Sequence, residues 1–340
     1  MTALPLAERP RPRKPEAAGE ALNIAAMQPT LREPLTLFDP ALSAATLLSA
    51  RPVVERPGRR ILIEYEIEPR PGAPALVLFG KQFADRSHAG RLHETWAGLE
   101  ALDLGPDGTV PRLVCLLEEL GLVLYLPAPG RMLAEDLAAP GAGAGVRRTA
   151  EWLARLHAGA LALDRRLDVA HEVENACIWA QRVGQAHPDL ADPARRLAGE
   201  LAASAREIRS EADVPIHKDI HAGHVVVGDT LAVIDFDEMR LGDPSFDVAH
   251  FCVYLHLAGI RSGRPGHFRR VRGEFLAEYA ARTGWEPDEG FSAFWAYSCL
   301  KVAKQLAMGS GIAPRPRGAE CIRQLHEMLR CGHEPAGVRR

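Results

Sequence analysis

The chain has 340 residues, 47% of them hydrophobic and 25% charged, with a formal net charge of -3. That length exceeds what one hydrophobic core usually fills, so two packed lobes are expected, and the composition excludes a disordered or fibrous chain. The near-balanced charge argues against a surface built on nucleic-acid phosphates, and no apolar run approaches the ~20 residues that span a bilayer.

In chain order, residues 1–37 open with A-E-R-P-R-P-R-K-P, which buries little apolar surface and reads as a flexible Pro/Arg-rich arm. Asp39-Pro40 then reads as an N-cap with proline in the first helical position, leading a short helix through Ala50. The β-branched and aromatic runs 61–67 and 75–83, split by P-R-P-G-A-P, predict a hairpin. From Asp85 to Leu104, Ala89, Leu92, Trp96, Leu99 and Leu102 recur at helical spacing. Two more strands follow, in V-P-R-L-V-C-L-L and G-L-V-L-Y-L-P.

Beyond Pro127 helical periodicity dominates, over 148–163, 266–282, 291–307 and 318–331. One polar loop interrupts it, V-P-I-H-K-D-I-H-A-G-H, followed by a hairpin of Val225–Val227 and Leu231–Ile234 around G-D-T. The six cysteines are scattered without a C-x-x-C, which suggests neither a zinc knuckle nor a disulfide framework. With no apolar signal peptide at the start, a cytoplasmic protein without a membrane or nucleic-acid partner is expected. The divisions expected are 1–37 arm, 38–127 sheet-rich N-lobe and 128–340 helical C-lobe.

Phosphoryl transfer needs a carboxylate at the attacking hydroxyl and oxygen ligands for the metal that neutralises the phosphates. A loop followed by a hairpin supplies both, with Asp219 in the loop and Asp235 at the end of the returning strand. The runs H-K-D-I-H-A-G-H, I-D-F-D and L-G-D-P-S-F-D-V-A stand in that order. Together they resemble the aminoglycoside phosphotransferase and choline kinase family, whose usual run is H-G-D-x-H-x-x-N, I-D-F/W-[DE] and G-D-P-x-x-D-L-A.

The resemblance implies an α+β, bilobal protein-kinase-like fold with a small antiparallel-sheet N-lobe and a larger, mainly helical C-lobe. It implies a kinase moving the γ-phosphate of ATP, or another NTP, to a hydroxyl of a small molecule. Asp219 would be the catalytic base, His217 a support of its loop, Asp235 a metal ligand and Asp247 a brace for the loop backbone. Lys81, ending A-L-V-L-F-G-K, would pair with phosphate, with Glu94 as its partner and Glu100 as a substitute. The Tyr125–Pro127 backbone, including Leu126, would meet adenine. Asp243, in Asp-Pro before an apolar helical stripe, reads as a cap, and His157 as a packed core histidine.

Two departures stand out. The glycine loop is reduced to R-P-G-R-R, leaving Arg59 or Arg60 to compensate by charge. His224 stands where the family has its metal-binding asparagine, and imidazole suits manganese or zinc better than magnesium, which leaves the identity of the divalent metal, magnesium or manganese, open. Two competing readings follow: a pseudokinase-type binding module, and a metal-dependent hydrolase using His217, Asp219, His221 and His224. Glu172, Glu174, Asp237, Glu238, Glu286 and Glu289 are candidates for lining a site for a cationic acceptor.

Overall fold

The computed structural model describes residues 16–139, 141–205, 213–309 and 318–333. They form two compact units, one of residues through 100 together with Pro111–Ala128, the other of Ala101–Val110 together with residues from Pro129 onward.

The first unit holds helices α1 (Glu16–Ala21) and α2 (Ile24–Phe38), strands β1 (Thr46–Arg56), β2 (Arg60–Glu68) and β3 (Leu76–Phe83), and helix α3 (Arg86–Glu100). After β4 (Gly108–Thr109), which belongs to the second unit, come β5 (Leu113–Leu117) and β6 (Leu122–Tyr125). The five strands make an antiparallel sheet in the order β1-β2-β3-β6-β5. The expected hairpin of 61–67 with 75–83 is β2 and β3.

Two expectations at the start of the chain are corrected. Residues 1–15 lie outside the described residues, but 16–38 are helical rather than an arm. Met27, Leu31 and Leu35 recur every four residues and are buried in the core that also holds Ile63, Tyr65 and Ile67 of β2. Each such side chain contributes about 1.5–3 kcal/mol when buried. Asn23 caps α2 by accepting from Ala25 N and Ala26 N. The Gln28 side chain fixes α2 to β1, donating to Ala45 O at 2.9 Å and accepting from Leu47 N at 2.5 Å. The Tyr65 hydroxyl donates to Ala21 O at 2.8 Å.

The second correction concerns residues 39–50. Only Pro40–Leu42 form a helical turn, capped by Asp39, and an eleven-residue strand begins at Thr46. Leu- and Ala-rich sequence favours helix in isolation, and pairing along β2 overrides it.

Gly80 of β3 allows the sheet to close here, since a Cβ would stand 2.7 Å from the Tyr65 ring and 2.9 Å from Leu122. Helix α3 buries Ala89, Leu92, Trp96 and Leu99, and the Trp96 indole donates to Pro111 O at 2.7 Å.

The second unit adds β7 (Arg131–Met132), α4 (Leu133–Asp136), α5 (Ala142–Ala158), α6 (Val169–Ala186), α7 (Ala191–Ser204) and β8 (Val214–Ile216). It continues with β9 (Val225–Val227), β10 (Leu231–Val233), β11 (Arg240–Gly242), α8 (Ser245–Ser262), α9 (Pro265–Thr283), α10 (Glu289–Met308) and α11 (Gly318–Gly332). Its strands form two small sheets, β4-β10-β9-β7 and β11-β8. Helices α8 and α10 are buried along most of their lengths, packed around Phe246, Phe251, Phe275 and Trp295. No helix among the described residues is long and apolar enough to cross a membrane.

Candidate active site

The loop from β8 to β9 carries His217, Asp219 and His224, and a buried carboxylate of α8 organises it. Asp247 Oδ2 accepts from His217 N at 2.6 Å, and Oδ1 accepts from Lys218 N at 2.7 Å. Those bonds hold Lys218 at φ +67°, a left-handed conformation costly for any residue with a Cβ. Asp247 also lies 3.2 Å from His157 Nε2, whose Nδ1 is 2.8 Å from the Tyr279 hydroxyl. His157 is thus the core histidine expected, with both ring nitrogens engaged. Burial works to raise the Asp247 carboxyl, but His157 and His217 outweigh it and hold the group below the ordinary carboxylate value.

His217 is fully buried. Its Nδ1 accepts from Asp219 N at 3.3 Å, so its proton sits on Nε2 and is donated to Ile234 O at 2.9 Å. Burial pushes its pKa down, keeping the ring neutral. The ring ties the catalytic-loop candidate Asp219 to the end of β10, and so to Asp235, the next residue along.

Asp219 Oδ1 accepts from Lys301 Nζ of α10 at 2.6 Å. His250 Nε2 of α8 stands 3.3 Å from the same oxygen, without hydrogen-bond alignment, while its Nδ1 is 3.0 Å from Ser298 Oγ. Burial works to raise the Asp219 carboxyl, yet Lys301, His250 and His224 together draw it well below the ordinary carboxylate range. The side chain keeps 29% of its surface, so an ionised carboxylate faces outward from a polar support.

His224 Nδ1 is 2.8 Å from Asp219 O. A carbonyl only accepts, so Nδ1 donates, and Nε2 is turned toward Asp235 Oδ2 at 3.5 Å. An imidazole nitrogen and a carboxylate oxygen so placed are the types of donor that a divalent cation takes. Asp235 itself sits at φ +68°, a second left-handed residue beside the loop. His221 stacks between His224, 3.8 Å between centroids, and Tyr254 at 4.7 Å. Ligand atoms of Asp219, His221 and His224 also lie within 4.8 Å of one another. His221 Nδ1 accepts from Gly223 N, and Asp219 Oδ1 accepts from Lys301.

The acidic residues expected for a cationic acceptor do not behave as one set. Glu172 is buried and neutralised, with Lys218 Nζ at 2.6 Å, the Tyr297 hydroxyl at 2.5 Å and Arg240 at 3.8 Å. Glu238 pairs with Arg240 at 2.9 Å. Asp243 Oδ1 accepts from Ser245 N at 2.8 Å at the start of α8, the capping role anticipated.

In the first unit, Lys81 is buried in the central strand β3, opposite Leu62 and Val123. Glu94 is exposed on α3, off its buried stripe, and Glu100 accepts Leu113 N at 2.7 Å instead of standing ready for Lys81. Arg59 and Arg60 lie at the β1–β2 turn, where Gly58 has φ +70° and Arg59 N donates to Arg56 O. Tyr125 ends β6 with its ring 4.6 Å from Trp96, and Leu126 N donates to Arg112 O at 2.9 Å.

Lys301 and His250 are absent from the sequence-based site. They stand 82 and 31 residues from Asp219 on helices whose periodicity signals only packing.

The profile of the APH phosphotransferase enzyme family matches residues 83–294. Among solved structures, a Ralstonia eutropha JMP134 protein provisionally assigned as an aminoglycoside phosphotransferase is 16% identical, with a TM-score of 0.61, covering 92% of this chain and 96% of its own. An ethanolamine kinase from Plasmodium vivax is 12% identical over 97% of both chains, with a TM-score of 0.56. A choline/ethanolamine kinase family protein from Mesorhizobium loti is 14% identical, with a TM-score of 0.54, covering 91% of this chain and 95% of its own. No curated protein matches the chain in sequence. The α+β, protein-kinase-like fold expected from the sequence is the one observed.

Proposed function

The chain belongs to the phosphotransferase enzyme family, and we propose that it moves the γ-phosphate of ATP to a hydroxyl of a small molecule. The observation that carries this reading is the Asp219 carboxylate, ionised and partly exposed, with Oδ1 held by Lys301 and its backbone N–H held by His217. Such a group orients an incoming hydroxyl and takes its proton as the oxygen attacks phosphorus. His217 is a positioning residue, acting through the Asp219 backbone. Lys301, beside Asp219, adds positive charge where the transferring phosphoryl group gathers negative charge.

Lys81 is the residue we assign to the nucleotide phosphates, with Arg59 and Arg60 adding charge in place of a longer glycine loop. Glu94 carries less weight as its partner. In the segment assigned to adenine, Leu126 N–H is taken by Arg112 and Pro127 has none, so Tyr125 and the backbone carbonyls carry that contact.

His224 Nε2 and Asp235 Oδ2 are the atoms that would hold a divalent cation, magnesium or manganese. When bound, it neutralises phosphate oxygens. The nitrogen donor favours manganese.

The hydrolase reading has less support because it leaves Lys81 and the match to the phosphotransferase family without a role. ADP release from ATP across a panel of hydroxylated metabolites and antibiotics tests the proposal. An acceptor that raises turnover supports it, and a protein that binds ATP with no turnover for any acceptor would favour the pseudokinase-type binding module.

A further inference from the structure

Cys299 in α10 and Cys331 in the last turn of α11 place their Sγ atoms 3.5 Å apart, both buried, across 32 residues of sequence. Among the described residues the other four cysteines have no thiol neighbour of this kind. The pair is framed by polar groups from four helices. Cys331 O accepts from the Trp295 indole at 2.7 Å, and in the protonated form Cys331 Sγ donates to Met328 O at 3.3 Å. His256 of α8 stands with Nε2 3.6 Å from Glu327 Oε1. Arg272 of α9 is buried over the Trp295 ring, 5.3 Å from its centroid.

We propose that Cys299 and Cys331 form a peroxide-reactive dithiol, oxidised in place to a disulfide that fastens α11 to α10. Cys331 is the attacking sulfur. A hydrogen bond from Cys299 draws its thiol down to about 6 against the cost of burial, with His256 adding to the effect, whereas burial pushes Cys299 well above the ordinary thiol value. The Cys331 thiolate attacks one oxygen of hydrogen peroxide, the O–O bond breaks, and hydroxide leaves with the displaced electron pair. The Cys299 sulfur then attacks the sulfenic sulfur and expels a second hydroxide, which takes the Cys299 proton and leaves as water. The thiolate proton lost earlier neutralises the first hydroxide. Two thiols and one peroxide thus become one disulfide and two waters. The sulfurs must close from 3.5 Å to about 2.05 Å. Glu327, beside His256, lines an open groove of about 900 Å³ with Leu190, Pro193, Ile260 and Arg330, next to the last turn of α11 that carries Cys331.

The test uses the reduced full-length chain, hydrogen peroxide, a thiol-alkylating quench and peptide mass spectrometry. The expected product is a Cys299–Cys331 linked peptide lighter by two hydrogens, reversed by dithiothreitol, in a protein that melts at higher temperature. In Cys299→Ser, Cys331 should accumulate as a sulfenic acid trapped by dimedone. The proposal is overturned if Cys299 and Cys331 stay alkylatable while exposed Cys177 is oxidised, or if they advance to sulfinic acid without linking.

Discussion

Lys301 Nζ donates to Asp219 Oδ1 at 2.6 Å, joining the middle of α10 to a loop 82 residues earlier. Burial disfavours the ammonium, but Asp219 and Tyr254 hold its pKa above the ordinary value, so the pair stays ionised. Removing that charge is expected to slow transfer more than it weakens binding. Lys301→Met should lower kcat roughly 100-fold with a smaller change in KM, and Lys301→Arg should recover part of it. Steady-state ADP release reads both; equal losses in Met and Arg variants with normal KM would point to packing alone.

Asp219→Asn keeps an acceptor for Lys301 and so preserves the fold. It is expected to cut turnover by about 10²–10⁴-fold while ATP binding, measured by calorimetry, stays near wild type. Near-normal turnover would remove Asp219 from the role of base.

Lys81→Met removes an ammonium while keeping most of the buried stem in β3. KM for ATP should rise roughly tenfold or more and the acceptor KM should not move. The reverse pattern would place Lys81 on the acceptor side of the reaction.

His224→Asn exchanges a nitrogen ligand for an oxygen. Wild type should work better with manganese than with magnesium, and the variant should shift toward magnesium. Activity measured with each metal decides it, since an unchanged preference would take His224 out of the coordination sphere.

Acid should destabilise this protein earlier than its carboxylates alone would. Burial, reinforced by Lys301, pushes the His250 pKa from 6.5 down to about 4, and burial lowers His217 and His221 as well. Below about 6.5 the unfolded chain takes up protons that the folded chain refuses, so stability is full above that pH and falls as pH drops toward about 4. His250 alone accounts for about 3 kcal/mol of that fall. Melting temperature followed from pH 8 to pH 4 should show the slope, and His250→Gln should flatten it.

Strands β2, β3, β5 and β6 are legible from their β-branched and aromatic runs, helix α3 from helical spacing that agrees with its burial, and the β8–β9 loop with its hairpin from the G-D-T turn between short apolar strands. What escapes is long-range. The sequence T-L-L-S-A looks helical until β2 pairs with it, and α2 hides behind the proline-rich residues that precede it and its own Pro29 and Pro34. Lys301 lies among apolar neighbours with nothing local to mark it as facing Asp219. Glu172 reads as one of several acids that could line an acceptor site, and only the fold delivers Lys218, Arg240 and Tyr297 to it.

The helix α2 also fixes where the first unit can tolerate change. With Tyr65 bonded to the Ala21 carbonyl and Gln28 clasping Ala45 and Leu47, residues that resemble a dispensable leader are the missing layer of a two-layer sandwich. Without them Ile63, Tyr65 and Ile67 would form a sticky apolar wall on β2. For folding, variation in length is therefore cheaper at the β1–β2 turn around Gly58 than between Ala21 and Leu47.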